Sequence, residues 1–218
     1  MWGAAVPRPS AADGAPDPPA RFLHVRDAGT PHAWIAYGDE PALGYGISYG
    51  LLDDPTDPDA REELRDFAEW APSRGITLVT AGVAVPGPAR RDAYLAALGD
   101  ACRRLGSVGI FVQLRASFPG PEPDALRSLL DATGSCGTVF YSLPPRREIL
   151  DVVEAWERES GMDVLVALPD STELPADLIL APVEAPETHR EIQTRTGCPT
   201  VADVSLWQAR MDPSVAPE

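Results

Sequence analysis

The sequence predicts a parallel (β/α) barrel in a truncated or minimal form, preceded by an N-terminal β-hairpin. From residue 43 onward, short apolar runs alternate with segments of helical period, and this alternation is typical of parallel strands joined by right-handed crossovers. The runs ITLV, VGIFV, DVLVAL and DLILAPV are almost continuously apolar, which indicates strands covered on both faces.

An open doubly wound parallel sheet is the alternative that the same alternation allows. No GxGxxG or GxxxxGK[ST] loop follows a predicted strand, which counts against a nucleotide-binding sheet of that kind. An eight-stranded barrel typically needs about 250 residues, whereas this chain has 218. The sequence leaves open whether an eighth strand is absent or is replaced by the hairpin.

Local signals predict each element in turn. Residues 22–25 and 33–37 are apolar runs around turn residues 27–30, and they predict the hairpin. Asp57 is a good N-cap and Pro58 follows it, so the first helix is expected to begin there. The predicted strands are 43–52, 76–85, 108–115, 138–143, 163–168, 178–183 and 200–203, and the predicted helices are 57–70, 89–105, 123–132, 146–159, 186–196 and 206–211.

Composition indicates a single domain over residues 21–211, with disordered tails at 1–20 and 212–218. The net charge of −15 counts against nucleic acid and anionic membranes as partners, because both require a basic face. The cysteines Cys102, Cys136 and Cys198 form no CxxC pair, so neither a disulfide framework nor a structural zinc site is predicted from them. We therefore expect a cytoplasmic protein, and the bias to Ala, Arg, Asp, Gly and Pro is typical of a bacterial genome of high GC content.

Candidate site residues lie at the carboxyl ends of the predicted strands, where parallel α/β folds place their sites. In the third strand Gln113 and Arg115 alternate with aliphatic residues, so both point into the barrel mouth if the aliphatic set packs on the helices. An amide beside a guanidinium suits a small planar ligand with carbonyl and anionic groups. The alternative is that both are rim residues bonded to loops or acidic side chains.

Carboxylates end two further strands. Together with Arg115 and Tyr141, these two carboxylates are the candidates for catalytic residues. Glu184 ends the sixth predicted strand and Asp203 ends the last. If both faced one cavity, they could transfer protons or bind a hard cation such as Mg²⁺. With 33 acidic residues in the chain, several are also expected at strand ends by chance.

The segment 43–120 resembles two βα units of flavin-dependent ene-reductases of the old yellow enzyme type. The resemblance rests on GITLVTAG, a strand that ends in a small residue, and on VGIFVQL, a strand that ends in Gln-Leu. It implies FMN as the cofactor, with Ala81 facing the flavin and Gln113 at the polar edge of its ring. Thr80 and Ser48, the latter in the strand beneath the flavin, are the further contacts that it implies.

The segment also departs from the family pattern. Tyr-Gly at 49–50 replaces the usual Pro-Met pair, and Arg-Ala at 115–116 replaces the His or aromatic residue that usually follows Gln-Leu. The fourth strand lacks a His-rich substrate motif, and no Gly-Gly or Gly-Arg phosphate-binding pair follows the last strand. Arg195 and Arg210 are the obvious candidates to hold a phosphate instead.

The sequence leaves three functions open. The first is an FMN-binding barrel that acts as a small-molecule oxidoreductase, in which the cofactor supplies the chemistry. The second is a noncatalytic, degenerate barrel that serves as a partner subunit or binding protein. Truncation exposes a sheet edge or apolar seam, so a homo- or hetero-oligomer is expected. The third is a cofactor-free isomerase or lyase that uses the strand-end carboxylates.

Overall fold

The computed structural model describes residues 22–42, 46–48, 52–116, 123–170, 172–182 and 186–203. Within them, a small antiparallel sheet consists of β1 (Leu23–Arg26), β2 (Trp34–Tyr37) and β3 (Glu40–Pro41). The parallel sheet consists of β4 (Gly46–Ser48), β5 (Leu78–Val83), β6 (Phe111–Ala116), β7 (Val139–Ser142), β8 (Leu165–Pro169), β9 (Leu178–Pro182) and β10 (Thr200–Asp203). The helices are α1 (Pro58–Trp70), α2 (Pro88–Ser107), α3 (Pro123–Thr133), α4 (Arg147–Ser160) and α5 (Pro186–Thr196).

The strand order distinguishes between the two predicted folds. Neighbouring strands of the parallel sheet follow chain order from β4 to β10 without a reversal, whereas a doubly wound sheet changes direction at a switch point. Right-handed crossovers that all run in the same direction place every helix on the same side of the sheet. The sheet therefore curls into a half-barrel with its helices on the convex face. The predicted truncated barrel with an N-terminal hairpin is therefore confirmed, and the doubly wound alternative is not formed.

The larger core lies between the sheet and the helices. Alternate residues of each strand point into it, as Val79 and Val83 do from β5 and Val112 does from β6. Helix α1 starts where Asp57 accepts a hydrogen bond from the Asp59 backbone N–H at 3.0 Å, and its buried face packs into the same core. Because these side chains fix which face of each strand meets the helices, they also fix which residues face the concave side.

The N-terminal sheet covers the amino-terminal half of the concave face. Its Leu23 packs in a second core with residues near the beginnings of the parallel strands, among them Phe140 and Leu165. The rings of Tyr37 and Phe111 meet edge to face with centroids 5.6 Å apart. The small sheet therefore fills the space that the interior of a closed barrel would occupy at this end.

Some predictions fall on parts of the chain outside the described residues, namely the helix at 206–211 and the tails at 1–20 and 212–218. The predicted strand 43–52 is described only over Gly46–Ser48. All three cysteines carry free thiols, and burial raises the pKa of Cys198 to about 11. No helix in the described ranges is long and apolar enough to cross a membrane.

Candidate active site

Three polar side chains lie side by side on the concave face, one from each of β5, β6 and β7. The hydroxyl of Thr80 donates to Gln113 Oε1 at 2.9 Å, and Gln113 Nε2 donates to the hydroxyl of Ser142 at 2.6 Å. We call these three residues the polar row. Gln113 is only 2% exposed, and buried polar groups of this kind are held by such bonds. An amide has two N–H donors and two acceptor lone pairs, so one of each stays uncommitted among the described residues.

Arg115 lies next to the polar row, two residues further along β6 on the same face. It pairs in register with Gly82 of β5 and with Ser142 of β7. A Cβ atom added at Gly82 would have one neighbour within 4 Å in the described part of the chain, Asp53 Oδ1 at 3.9 Å. Within the described residues the surface above Gly82 is therefore open, with Arg115 on the neighbouring strand and the Asp53 carboxylate near it.

Ala81 does not join this group. It is 1% exposed and packs in the convex core with Val79 and Val83, one residue out of phase with Thr80. Ala81 and Gln113 therefore face opposite sides of the sheet, and no single planar ligand can contact both side chains. This corrects the flavin-facing position expected from the resemblance, because Thr80 and Gly82 are the β5 residues on the concave face.

Tyr141 also points away from the concave face. Its hydroxyl lies 2.7 Å from Thr133 Oγ1, which donates to the Leu129 carbonyl at 2.7 Å, so Tyr141 donates to Thr133. The phenol is fully buried, and this desolvation raises its pKa well above the usual value. It ties β7 to α3 as a neutral group and does not reach the mouth where it was predicted to act.

The structure leaves the remaining predicted site residues untested. Ser48 pairs in register with Thr80, but its side chain lies outside the described residues. Asp203 ends β10, and the same holds for its side chain. Glu184 falls wholly outside the described residues. Their roles stay predictions, including the proposed pairing of the two carboxylates.

Two contributors to this end of the sheet were not among the predicted site residues. Ser142 accepts the amide hydrogen bond of Gln113, and Asp53 stands beside Gly82. Both lie at or just after the carboxyl ends of predicted strands, 138–143 and 43–52, and that position is the sequence signal for them. Ser142 shares the face of Phe140, which packs in the concave core, whereas Asp53 lies in the loop between β4 and α1.

Tyr94 of α2 places a buried phenol near the same loop. Burial, followed by the nearby carboxylates of Asp53 and Asp54, raises its pKa to about 12. Its hydroxyl has no hydrogen-bond partner within the described ranges. Tyr94 therefore stays protonated at neutral pH and can donate one hydrogen bond.

Ser142→Ala should cost about 1–3 kcal/mol of unfolding free energy, because it leaves the buried Gln113 N–H without its acceptor. Ser73→Ala is the matched control. The Ser73 hydroxyl bonds to the Trp70 carbonyl at the exposed end of α1, so its loss should stay within about 0.5 kcal/mol. Urea unfolding of the three proteins measures both values. Equal losses would show that the polar row contributes nothing beyond an exposed hydrogen bond.

These features define an α/β half-barrel with a polar mouth at the carboxyl ends of its strands. No protein-family model and no curated protein matches the chain. Among solved structures it is similar to an enolase from Agrobacterium radiobacter, with 20% identity, 74% of this chain and 45% of that chain covered, and a TM-score of 0.46. It is also similar to the spore cortex-lytic enzyme SleL of Bacillus megaterium QM B1551, with 13% identity, 84% of this chain and 51% of that chain covered, and a TM-score of 0.39. The chain thus spans about half the length of either protein, and at this level the likeness carries no argument about function.

Proposed function

We propose that the mouth of the half-barrel binds a small planar ligand with carbonyl and anionic groups, and that this ligand is FMN, used in a redox step on a small molecule. The observation that carries the proposal is the polar row, which presents the Gln113 amide on the concave face of three adjacent strands. Arg115 stands beside it on the same face. Polar groups converging on one side of a largely apolar surface are typical of ligand sites.

The residues at the mouth suit the polar edge of a flavin ring. Such an edge offers both C=O acceptors and an N–H donor, and the Gln113 amide has one N–H and one lone pair without a partner in the described part of the chain. Gly82 leaves open space in which a flat ring could lie. Bound flavin would supply the hydride chemistry, while Gln113 would orient the ring and Arg115 would offset negative charge on the ring or the substrate.

The phosphate of FMN finds no ready partner among the residues predicted to hold it. The guanidinium of Arg195 is bound to Asp170 Oδ1 at 2.5 Å, and Arg210 lies outside the described residues. We therefore expect the ring to supply most of the binding energy, so that riboflavin, which lacks the phosphate, binds within about tenfold of FMN.

The visible absorption spectrum tests the proposal, recorded before and after soaking the purified protein with excess FMN and desalting. We expect retained flavin bands near stoichiometric occupancy. Gln113→Leu should weaken binding about tenfold or more, because the flavin edge loses a hydrogen-bonding amide. Tyr141→Phe, on the opposite face of the sheet, is the control that should leave binding unchanged. A protein that retains no flavin would overturn the proposal.

A second candidate is a noncatalytic half-barrel that serves as a partner subunit. In the described ranges, β4 and β10 are the two ends of the sheet, each bonded to one neighbouring strand. Unpaired strand edges attract further strands, and proteins usually cover them. A second copy of this chain or another protein would then complete the barrel. Sedimentation as a monomer at micromolar concentration would count against this candidate.

A further inference from the structure

The convex side of the molecule carries a groove between α1 and α2 that plays no part in the site described above. Its volume is about 580 Å³, within the range of roughly 300–1,000 Å³ that is usual for small-molecule sites. Its floor is buried and apolar, whereas its rim is exposed and carries three guanidinium groups. The floor consists of Pro55, Leu64, Ala97 and Ala101, and the rim includes Arg61, Arg103 and Arg104.

Two of the three guanidinium groups lack a carboxylate partner among the described residues. Arg103 is bound to Asp100 at 2.5 Å. Arg61 donates through Nε to the Pro55 carbonyl at 3.0 Å, and neither of its terminal nitrogens has a hydrogen-bond partner in the ranges that the structure describes. The Arg104 side chain makes no hydrogen bond or ion pair within the described part of the chain. This surplus of positive charge is unusual in a chain with 33 acidic and 18 basic residues.

We infer that this groove binds an organic anion with an apolar body and a terminal phosphate or carboxylate. The apolar floor would cover the body of such a molecule, and the guanidinium forks of Arg61 and Arg104 match the paired oxygens of its head group. Both parts of the ligand are required, because the rim alone is exposed to solvent, where simple ion pairs contribute little.

Octyl phosphate is the first probe, titrated into the full chain calorimetrically below its micelle concentration. Octyl glucoside has the same tail without the charge, and inorganic phosphate has the charge without the tail. We expect octyl phosphate to bind at one site and each matched ligand to bind at least about tenfold more weakly. Absence of octyl phosphate binding, or equal binding of octyl glucoside, would overturn the inference.

Substitutions locate the site. Arg61→Gln and Arg104→Gln should each weaken octyl phosphate binding about tenfold. Arg65→Gln is the control on α1, because Arg65 does not line the groove and is paired with Glu62. Unchanged binding in the Arg61→Gln, Arg104→Gln double variant would place the ligand elsewhere and overturn the inference.

A further variant separates this groove from the proposed flavin site. Gln113 lies on the other side of the sheet, so Gln113→Leu should leave octyl phosphate binding unchanged. Ala60→Trp fills the groove from its half-buried edge and should abolish that binding while leaving FMN retention intact. Octyl phosphate binding that falls with Gln113→Leu and survives Ala60→Trp would assign the anion to the concave face instead.

Discussion

Gly197→Ala is expected to destabilise the protein by about 2–5 kcal/mol, because it combines backbone strain with a clash against another backbone segment. Gly197 follows α5 at a φ of 68°, in the left-handed region. A Cβ atom there would lie 2.6 Å from the carbonyl carbon of Gly29, in the hairpin turn. Neither backbone can swing aside as a side chain could. The hydrogen bond from Gly29 N to Gly197 O, at 2.9 Å, holds the two segments at this separation.

Gly161→Ala separates the effect of backbone strain from the effect of the clash. Gly161 follows α4 at a φ of 70°, and no described atom outside its immediate chain neighbours lies within 4 Å of its would-be Cβ. That variant should therefore lose only about 1–2 kcal/mol. Denaturant unfolding of both variants and the parent protein gives the difference. Equal losses at the two positions would mean that the hairpin turn does not rest against the end of α5 in solution.

Trp156→Ala should lower the free energy of unfolding by about 3–5 kcal/mol, the usual range for deleting a buried tryptophan side chain. Trp156 of α4 is 3% exposed, and its Nε1 donates to Asp131 Oδ1 of α3 at 2.7 Å. Its ring also fills the space above Gly134, where a Cβ atom would lie only 2.5 Å from the ring. The truncation would leave a cavity and remove the hydrogen bond that joins two helices.

Trp70 supplies the matched control for this change. It lies at the end of α1, is 47% exposed, and meets Phe67 edge to face at a centroid distance of 5.2 Å. Trp70→Ala should therefore cost about 1 kcal/mol or less, since little apolar area is removed from the core. Thermal and urea unfolding measure both variants. A loss at Trp70 as large as that at Trp156 would contradict the burial of the α3–α4 interface described here.

The sequence predicted most elements of the fold because their signals are local. The apolar runs, the N-cap at Asp57 and the turn residues of the hairpin each identify an element without reference to the rest of the chain. The strand order and the placement of the hairpin against the concave face depend on long-range packing. Contacts such as that between Tyr37 and Phe111 join separate elements, and no local pattern of a single strand contains them.

The same distinction between local and long-range signals applies to the candidate site. The sequence correctly predicted that Gln113 lies on the concave face. The aliphatic residues that alternate with it in β6 identify the side of the strand that faces the helices. Ala81 was assigned from a family motif without that test, and it faces the helices. Tyr141 belongs to the strand VFYS, in which both faces are buried, so alternation of polarity could not show its direction.

The contact between the hairpin turn and the end of α5 also has a consequence for the order of folding. It joins Gly29 to Gly197, so the loop that it closes contains most of the described residues. Long loops of this kind carry a larger closure entropy, and contacts between distant segments form late. On the ribosome, β1 and β2 emerge well before α5 and can complete their docking only after α5 has been synthesised. Until then the apolar concave surface stays partly uncovered, and this is the stage at which the nascent protein would most need a chaperone.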